Sequence, residues 1–418
     1  MRIGLLRELG HVPWNERILY SDVGIQAIIE AGAISFLSVF LVRLGASSWL
    51  VGLYQALPAL VMTVVSLPMG AFVQRQRSLV AVSNWGRFLF RLGLGSFVFL
   101  PFLPKDLAAY VLVGVYSLLF IPGSASNVAF ITILGQVAPA DRRPRMLSMR
   151  LAINGLCAAG VGLLAGQWLS GTSYPFNYQM LFLSAFLAGM ASIFVLGQLR
   201  LPQNPVESSA RKSPGAGATA HRSGSWRGMW SLMAERHVFR NYCLAALLFR
   251  LSMAMPQALY TIYRVRVMGA SDWWIGVLLT TERVLSVLVY LALGRLLSRS
   301  RVRRWLWVTC IGVALYPLTM GLARTPEMLL IPAICGGIFG SGMNIFITNT
   351  LFQVSPEDGR PPFVAADATL ANITSFVGPI LGTALASAMG IAPALLVIAG
   401  FRVLGGLSFW RLKVGMET

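Results

Sequence analysis

Apolar residues run along this chain in long blocks separated by short polar and basic stretches. A helix that faces a core on one side and water on the other shows a three-to-four-residue rhythm instead. The blocks fall at about 21–43, 49–73, 79–101, 107–137, 146–170 and 177–199, then at about 240–264, 272–297, 304–323, 327–354, 364–389 and 391–410. A hydrocarbon core about 30 Å thick takes about 20 apolar residues per helix, and most blocks reach that length. Each must be helical, because lipid offers backbone N–H and C=O groups no partner. The pattern predicts an all-α membrane protein with twelve transmembrane helices. Between the sixth and seventh blocks, LPQNPVESSARKSPGAGATAHRSGS reads as a flexible linker. The chain then divides into 1–199, a linker at 200–239, and 240–418. At the linker's end Trp226, Met229, Trp230 and Met233 stand at helical spacing, which fits either a short interfacial helix or an unstructured end.

Composition agrees. Of 418 residues 56% are hydrophobic and 12% charged, against about 25% charged in soluble domains. The net charge of +19 does not point to nucleic acid, because the basic residues sit in short loops and form no continuous stripe. They sort by loop instead. With the N-terminus inside, Arg75, Arg77, Arg142, Arg143, Arg145, Arg299 and the linker's basic residues are cytoplasmic, and only Arg43, Lys105, Arg264, Arg266 and Arg324 fall outside. That bias places both termini in the cytoplasm and the protein in the plasma (inner) membrane. Residues 1–20 carry Arg2, Arg7, Glu8, Glu16 and Arg17 and no apolar run long enough for a signal peptide. Cys157, Cys243, Cys310 and Cys335 lie in or beside apolar blocks with no CxxC pair, so neither a disulfide framework nor a zinc site is expected. His11, His221 and His237 lie outside the blocks, which argues against an intramembrane metal or histidine relay. No Walker loop, HExxH or strand-borne GxSxG is present. Neither an enzyme nor a cofactor is expected.

The most specific signal is internal. GASSWLVG at 45–52 returns as GASDWWIG at 269–276, and at the same offset Gly70, Arg75 and Arg77 return as Gly294, Arg299 and Arg301. A second block follows: GSASN at 123–127 against GSGMN at 340–344, and QVAPADRRP at 136–144 against QVSPEDGRP at 353–361. Two ordered blocks imply a duplicated six-helix unit of parallel topology.

On these residues the chain resembles the major facilitator superfamily over its whole length. That family has two six-helix bundles, a long central cytoplasmic linker and a Gly-x-x-x-Asp-Arg-x-Gly-x-Arg-Arg loop after its second helix. Here GAFVQRQRSLV keeps Gly70 and Arg75 but has Gln74 at the Asp position, and GRLLSRSRVRR keeps Arg299, Arg303 and Arg304 but has Ser298 there. The loop's charge relay does not carry over intact. Gly378, Pro379 and Gly382 resemble the Gly-Pro-x-x-Gly motif of drug antiporters, but in the other half of the chain, so they speak for packing more than for antiport.

An ionisable residue inside a membrane helix is a functional candidate. Glu30, Arg250 and Glu282 each lie about 14–15 Å into their blocks at ~1.5 Å per residue. Arg250 and Glu282 stand at about one level, as either a functional pair or a structural salt bridge. Glu30 is either a proton-exchanging acid or a neutral carboxyl bonded to a neighbouring helix. The resemblance puts Glu30, Asn127, Arg250 and Asn344 on cavity-lining helices, with Asn127 and Asn344 repeat-related and so alternatively scaffold. It also suggests a cytoplasmic gate in which Asp367 supplies the acid missing beside Arg75 and Arg77, with Arg299 in the matching loop, although Asp367 could instead cap its own helix. The expectation is a monomeric secondary transporter of a small organic solute in the lipid bilayer, coupled to protons and exporting. A sugar or organic-acid uptake symporter or facilitator is the alternative, as is a transport-inactive sensor or scaffold.

Overall fold

The computed structural model describes residues 13–76, 78–137, 143–200, 236–296, 309–355 and 360–412. It holds twelve helical stretches and no strand among those residues. In the first half α1 runs Trp14–Arg43, α2 Ser48–Gln74, α3 Leu79–Ser96, α4 Lys105–Leu118 continued as Phe120–Val137, α5 Arg143–Gly171 and α6 Phe176–Gly197. In the second half α7 is His237–Val267, α8 Asp272–Leu296, α9 Thr309–Leu322, α10 Pro326–Val354, α11 Arg360–Met389 and α12 Ile391–Arg411. Ten of these are long and apolar enough to cross a membrane. The two others are α3, which carries buried Arg87 and Arg91, and α9, whose upstream residues lie outside the described set. The linker and the proposed interfacial helix at 226–233 also lie outside it.

Large apolar side chains are exposed as freely as they are buried. Trp85, Phe194, Leu164 and Trp410 are each more than half exposed. In water such a surface would cost far more than a soluble domain tolerates; in lipid it costs nothing. This is a multi-pass membrane protein.

The described residues form two compact units by contact: Met1–Leu37 with Val65–Asn204, and Ser38–Val64 with Pro205–Thr418. Residues 38–64, the end of α1 and the start of α2, thus pack with the second half of the sequence.

Three helices are broken by short π-helical stretches: Ile28–Ile34 in α1, Tyr263–Val267 in α7 and Gly336–Gly340 in α10. Such stretches occur often at functional sites, because they free backbone groups and re-aim side chains. Proline breaks two more places. Pro256 interrupts α7, and Pro317 lies in α9. A proline lacks the N–H that would bond the carbonyl four residues earlier, so Pro256 strands Ser252 O, whereas Val313 O, four residues before Pro317, accepts instead from Tyr316 N at 3.2 Å. Both are met by one side chain. Arg402 of α12, 1% exposed, donates from Nη2 to Ser252 O at 2.9 Å and from Nη1 to Val313 O at 3.2 Å. It joins α7, α9 and α12.

The repeated octapeptides turn out to be a helix stop and start. Gly45 and Gly269 both have positive φ, +89° and +62°, and end α1 and α7. Ser47 Oγ accepts from Leu50 N and Ser271 Oγ from Trp274 N, each at 3.2 Å, opening α2 and α8. The two loops also grip each other within the second unit. Arg43 donates to Ala270 O at 3.2 Å and pairs with Asp272 at 2.8 Å. Arg266 donates to Ala46 O. Ala46 and Ala270 are repeat equivalents, so each loop's carbonyl takes an arginine from the other; the arginines themselves are offset by one position, since Arg43 aligns with Val267 and Arg266 with Val42, and Asp272 stands where the first copy has Ser48.

Candidate functional site

A cavity of about 500 Å³ opens inside the second unit. Its described wall comes from Gln55 of α2, Arg250, Met253, Ala254 and Gln257 of α7, Met343, Ile347 and Thr348 of α10, and Ala371, Thr374, Ser375 and Pro379 of α11. Close packing of α7 on α11 shapes it. A Cβ on Gly382 would run into Met255 O, and one on Gly378 into Ala254, so only glycine admits this approach. The Gly378-Pro379-Gly382 motif therefore does the packing work that the sequence suggested.

Arg250 is the only charged residue among the described lining. Its Nη2 meets Asp367 Oδ2 at 2.8 Å and its Nη1 donates to Asp367 O at 2.8 Å. Tyr242 Oη, fully buried, donates to Asp367 Oδ1 at 2.9 Å. The acid lies behind the wall, and the guanidinium forms part of the wall.

This corrects one expectation. Arg250 does not pair with Glu282; its partner is Asp367. The reason is packing: α7 lies against α11 and α12, whereas α8 lies against α10. Glu282 instead sits beside Gly336, Gly337 and Tyr316, with Arg264 and Arg283 as its charged neighbours; Arg264 bonds Tyr316 Oη. Asp367, the acid expected at a gate, is thus the partner of Arg250. Helix α11 begins at Arg360, so Asp367 lies seven residues in, 7% exposed, with both carboxylate oxygens engaged inside the second unit. That is also too deep to cap its helix, since capping acts within the first turn. Arg75 is exposed at the end of α2; Arg77 and Arg299 lie outside the described residues.

In the first unit Glu30 lies in the π-helical stretch of α1 and is exposed. Asn154 of α5 donates to its Oε2 at 3.3 Å, and Ser35 Oγ bonds its carbonyl at 2.8 Å. Asn127 is exposed on α4. Asn344 lies on α10, its side chain outside the described set.

One network the sequence reading missed stands beside Glu30. Asp22 of α1, 0% exposed, accepts from Arg87 Nη1 of α3 and from Ser192 Oγ of α6, each at 2.7 Å. Arg91 Nη2 donates to Gln26 Oε1 at 2.8 Å. The Phe130 ring has the Arg87 guanidinium 4.7 Å from its centre and that of Arg150 at 4.8 Å. Asp22 falls at the edge of the apolar block at 21–43, whereas the helix begins at Trp14, about two turns earlier. Among the described residues no group of three His, Cys, Asp or Glu could hold a metal ion.

Solved structures of transporters share this fold. The nucleoside transporter NupG aligns with TM-score 0.70 at 12% identity, covering 95% of this chain and 99% of its own. A POT family transporter in complex with 5-aminolevulinic acid gives 0.69 at 12%, covering 97% of each chain. The xylose transporter XylE from E. coli gives 0.67 at 11%, covering 94% and 95%. No curated protein matches. The family model of the Major Facilitator Superfamily matches residues 23–324, well over half the chain. The chain belongs to the Major Facilitator Superfamily and is a membrane transporter.

Proposed function

We propose that this chain exports a small organic solute from the cytoplasm across the plasma (inner) membrane by alternating access, driven by protons. The carrying observation is the cavity of about 500 Å³, a volume suited to a drug-sized molecule, lined by polar and apolar residues. Met253, Met343, Ile347 and Pro379 are among the apolar ones. A solute apolar enough to fit them also leaks inward through lipid unaided, and what such a solute needs is active export. Uptake by the same cycle is the alternative direction.

Glu30 is the acid we assign to the proton. It is exposed, held by one neutral partner, Asn154, and sits where the π-helical stretch loosens α1. A carboxylate reached by water can load and release a proton as access changes. In proteoliposomes carrying a pH gradient, Glu30→Gln is expected to abolish gradient-driven transport and leave solute exchange intact. Full gradient-driven transport by that variant would move the role to Glu282. The same basic-residue bias that orients the chain puts residues 200–239 in the cytoplasm. A cysteine at Ser213 should therefore escape an impermeant thiol reagent in intact cells, and labelling there would reverse the topology.

A further inference from the structure

We infer that the cavity takes a small organic monoanion, a weak carboxylic acid with an apolar body, whose carboxylate docks on Arg250. The inference rests on the reading of this cavity as the transport site and names the solute class that it serves.

The wall mixes polar and apolar residues and has one charged group, Arg250, among those described. Its polar members are Gln55, Arg250, Gln257, Thr348, Thr374 and Ser375, its apolar ones as above, and no described lining residue is acidic. A cationic amine would meet no counter-charge here, whereas an anion meets a guanidinium. Asp367 does not cancel that preference in the wall. It stands behind Arg250, 7% exposed, with Oδ1 turned to Tyr242 and Oδ2 to Arg250. A guanidinium has five N–H donors. The bonds to Asp367 use one from each of Nη1 and Nη2, and the side chain keeps 17% of its surface open. Its planar fork matches a carboxylate in two parallel hydrogen bonds, which an ammonium cannot reproduce. Burying a guanidinium beside one carboxylate is costly unless its remaining donors also find acceptors, and the solute's carboxylate supplies them. The apolar residues then hold the acid's body. Such acids enter cells in their neutral form and accumulate ionised inside, which makes them cargo for an exporter.

The test compares each acid with its own amide, which has the same shape and no charge. Purified full-length protein is titrated with hexanoate and hexanamide, and with 4-phenylbutyrate and 4-phenylbutanamide, following thermal stability. The acids should stabilise it saturably, and the amides should bind about tenfold more weakly or worse. Arg250→Gln with Asp367→Asn removes both charges, so that neither is stranded, and should bring acid binding down to the amide level. Asp367→Asn alone keeps the guanidinium and removes its rival anion, so acids should bind more tightly; this variant decides the matter should the double one not fold. Amides binding as well as acids, unchanged acid binding in either variant, or no binding by any acid would each overturn the inference. If the amides alone bind and exchange across proteoliposomes, the transport site stands and only the solute class falls. If no probe binds or exchanges, both fall.

Discussion

Arg402 shows most directly how a single residue answers a defect written elsewhere in the chain. Pro256 removes the N–H that Ser252 O would take, and one buried guanidinium meets that carbonyl together with Val313 O, which also accepts from Tyr316 N. An unmade hydrogen bond in a buried carbonyl costs about 1–3 kcal/mol, and Ser252 O faces that cost without Arg402. Arg402→Met should therefore lower the thermal unfolding temperature clearly. Restoring the N–H with Pro256→Ala in that background should return about one carbonyl's share. A wild-type melting temperature for Arg402→Met would mean that those carbonyls do not depend on it. The sequence signal was present: a lone arginine eleven residues beyond Ile391, inside an apolar block. The rule that found Glu30, Arg250 and Glu282 applies equally to Arg402, Asp22, Arg91 and Arg150. What it cannot give is the partner. Pairing depends on which helices pack, and that is long-range: Arg250 with Asp367 spans 117 residues and Arg87 with Asp22 spans 65. The outer arginines show the same thing. Of the five basic residues the charge count leaves outside, Arg43, Arg264 and Arg266 are held by Asp272, Tyr316 and the Ala46 carbonyl.

Elements were far more legible than pairs, because length and apolarity are local. Every block in the sequence corresponds to a helix, and the boundaries that moved did so for stated reasons. Helix α1 starts at Trp14 rather than 21 because Asp22, Glu16 and Arg17 broke the apolar run, although a polar first turn is ordinary where a helix leaves the membrane. Helix α11 starts at Arg360 rather than near 364, which took Asp367 from a helix end to a buried position. The three π-helical stretches were invisible, since they change hydrogen-bond register without changing composition. The repeat was legible as a pattern but not as chemistry. Only the backbone shows that GASSWLVG and GASDWWIG persist because glycine must take positive φ and serine must cap the following helix.

At the scale of the molecule those two loops bear on transport. Residues 38–64 belong by contact to the second unit, and the reciprocal grip helps hold them there: Arg43 on Ala270 O and Asp272, Arg266 on Ala46 O. On the alternating-access cycle proposed above, 38–64 would move with the rest of the first half and this grip would open once in each cycle. Its strength is then a bias on a two-state equilibrium rather than a contribution to stability alone. Arg43 is 36% exposed in its side chain and Asp272 9%, so the pair is partly screened. An ion pair of that kind is worth about 0.2–1 kcal/mol, and about 1.4 kcal/mol is tenfold. Removing it should shift the state populations by up to about fivefold. Asp272→Asn should thus raise labelling of a cavity cysteine at Gln55 from the side that the grip closes, and lower it from the other. Asp272→Arg should raise it further, by setting two arginines against each other, and Arg43→Asp in that background should bring it back. Asp106→Asn removes the same negative charge from the same expected side within the first unit and serves as the control for surface charge. Labelling that follows Asp106→Asn as closely as Asp272→Asn would reduce the grip to general electrostatics. Labelling unmoved by Asp272→Arg would show that the loops merely touch.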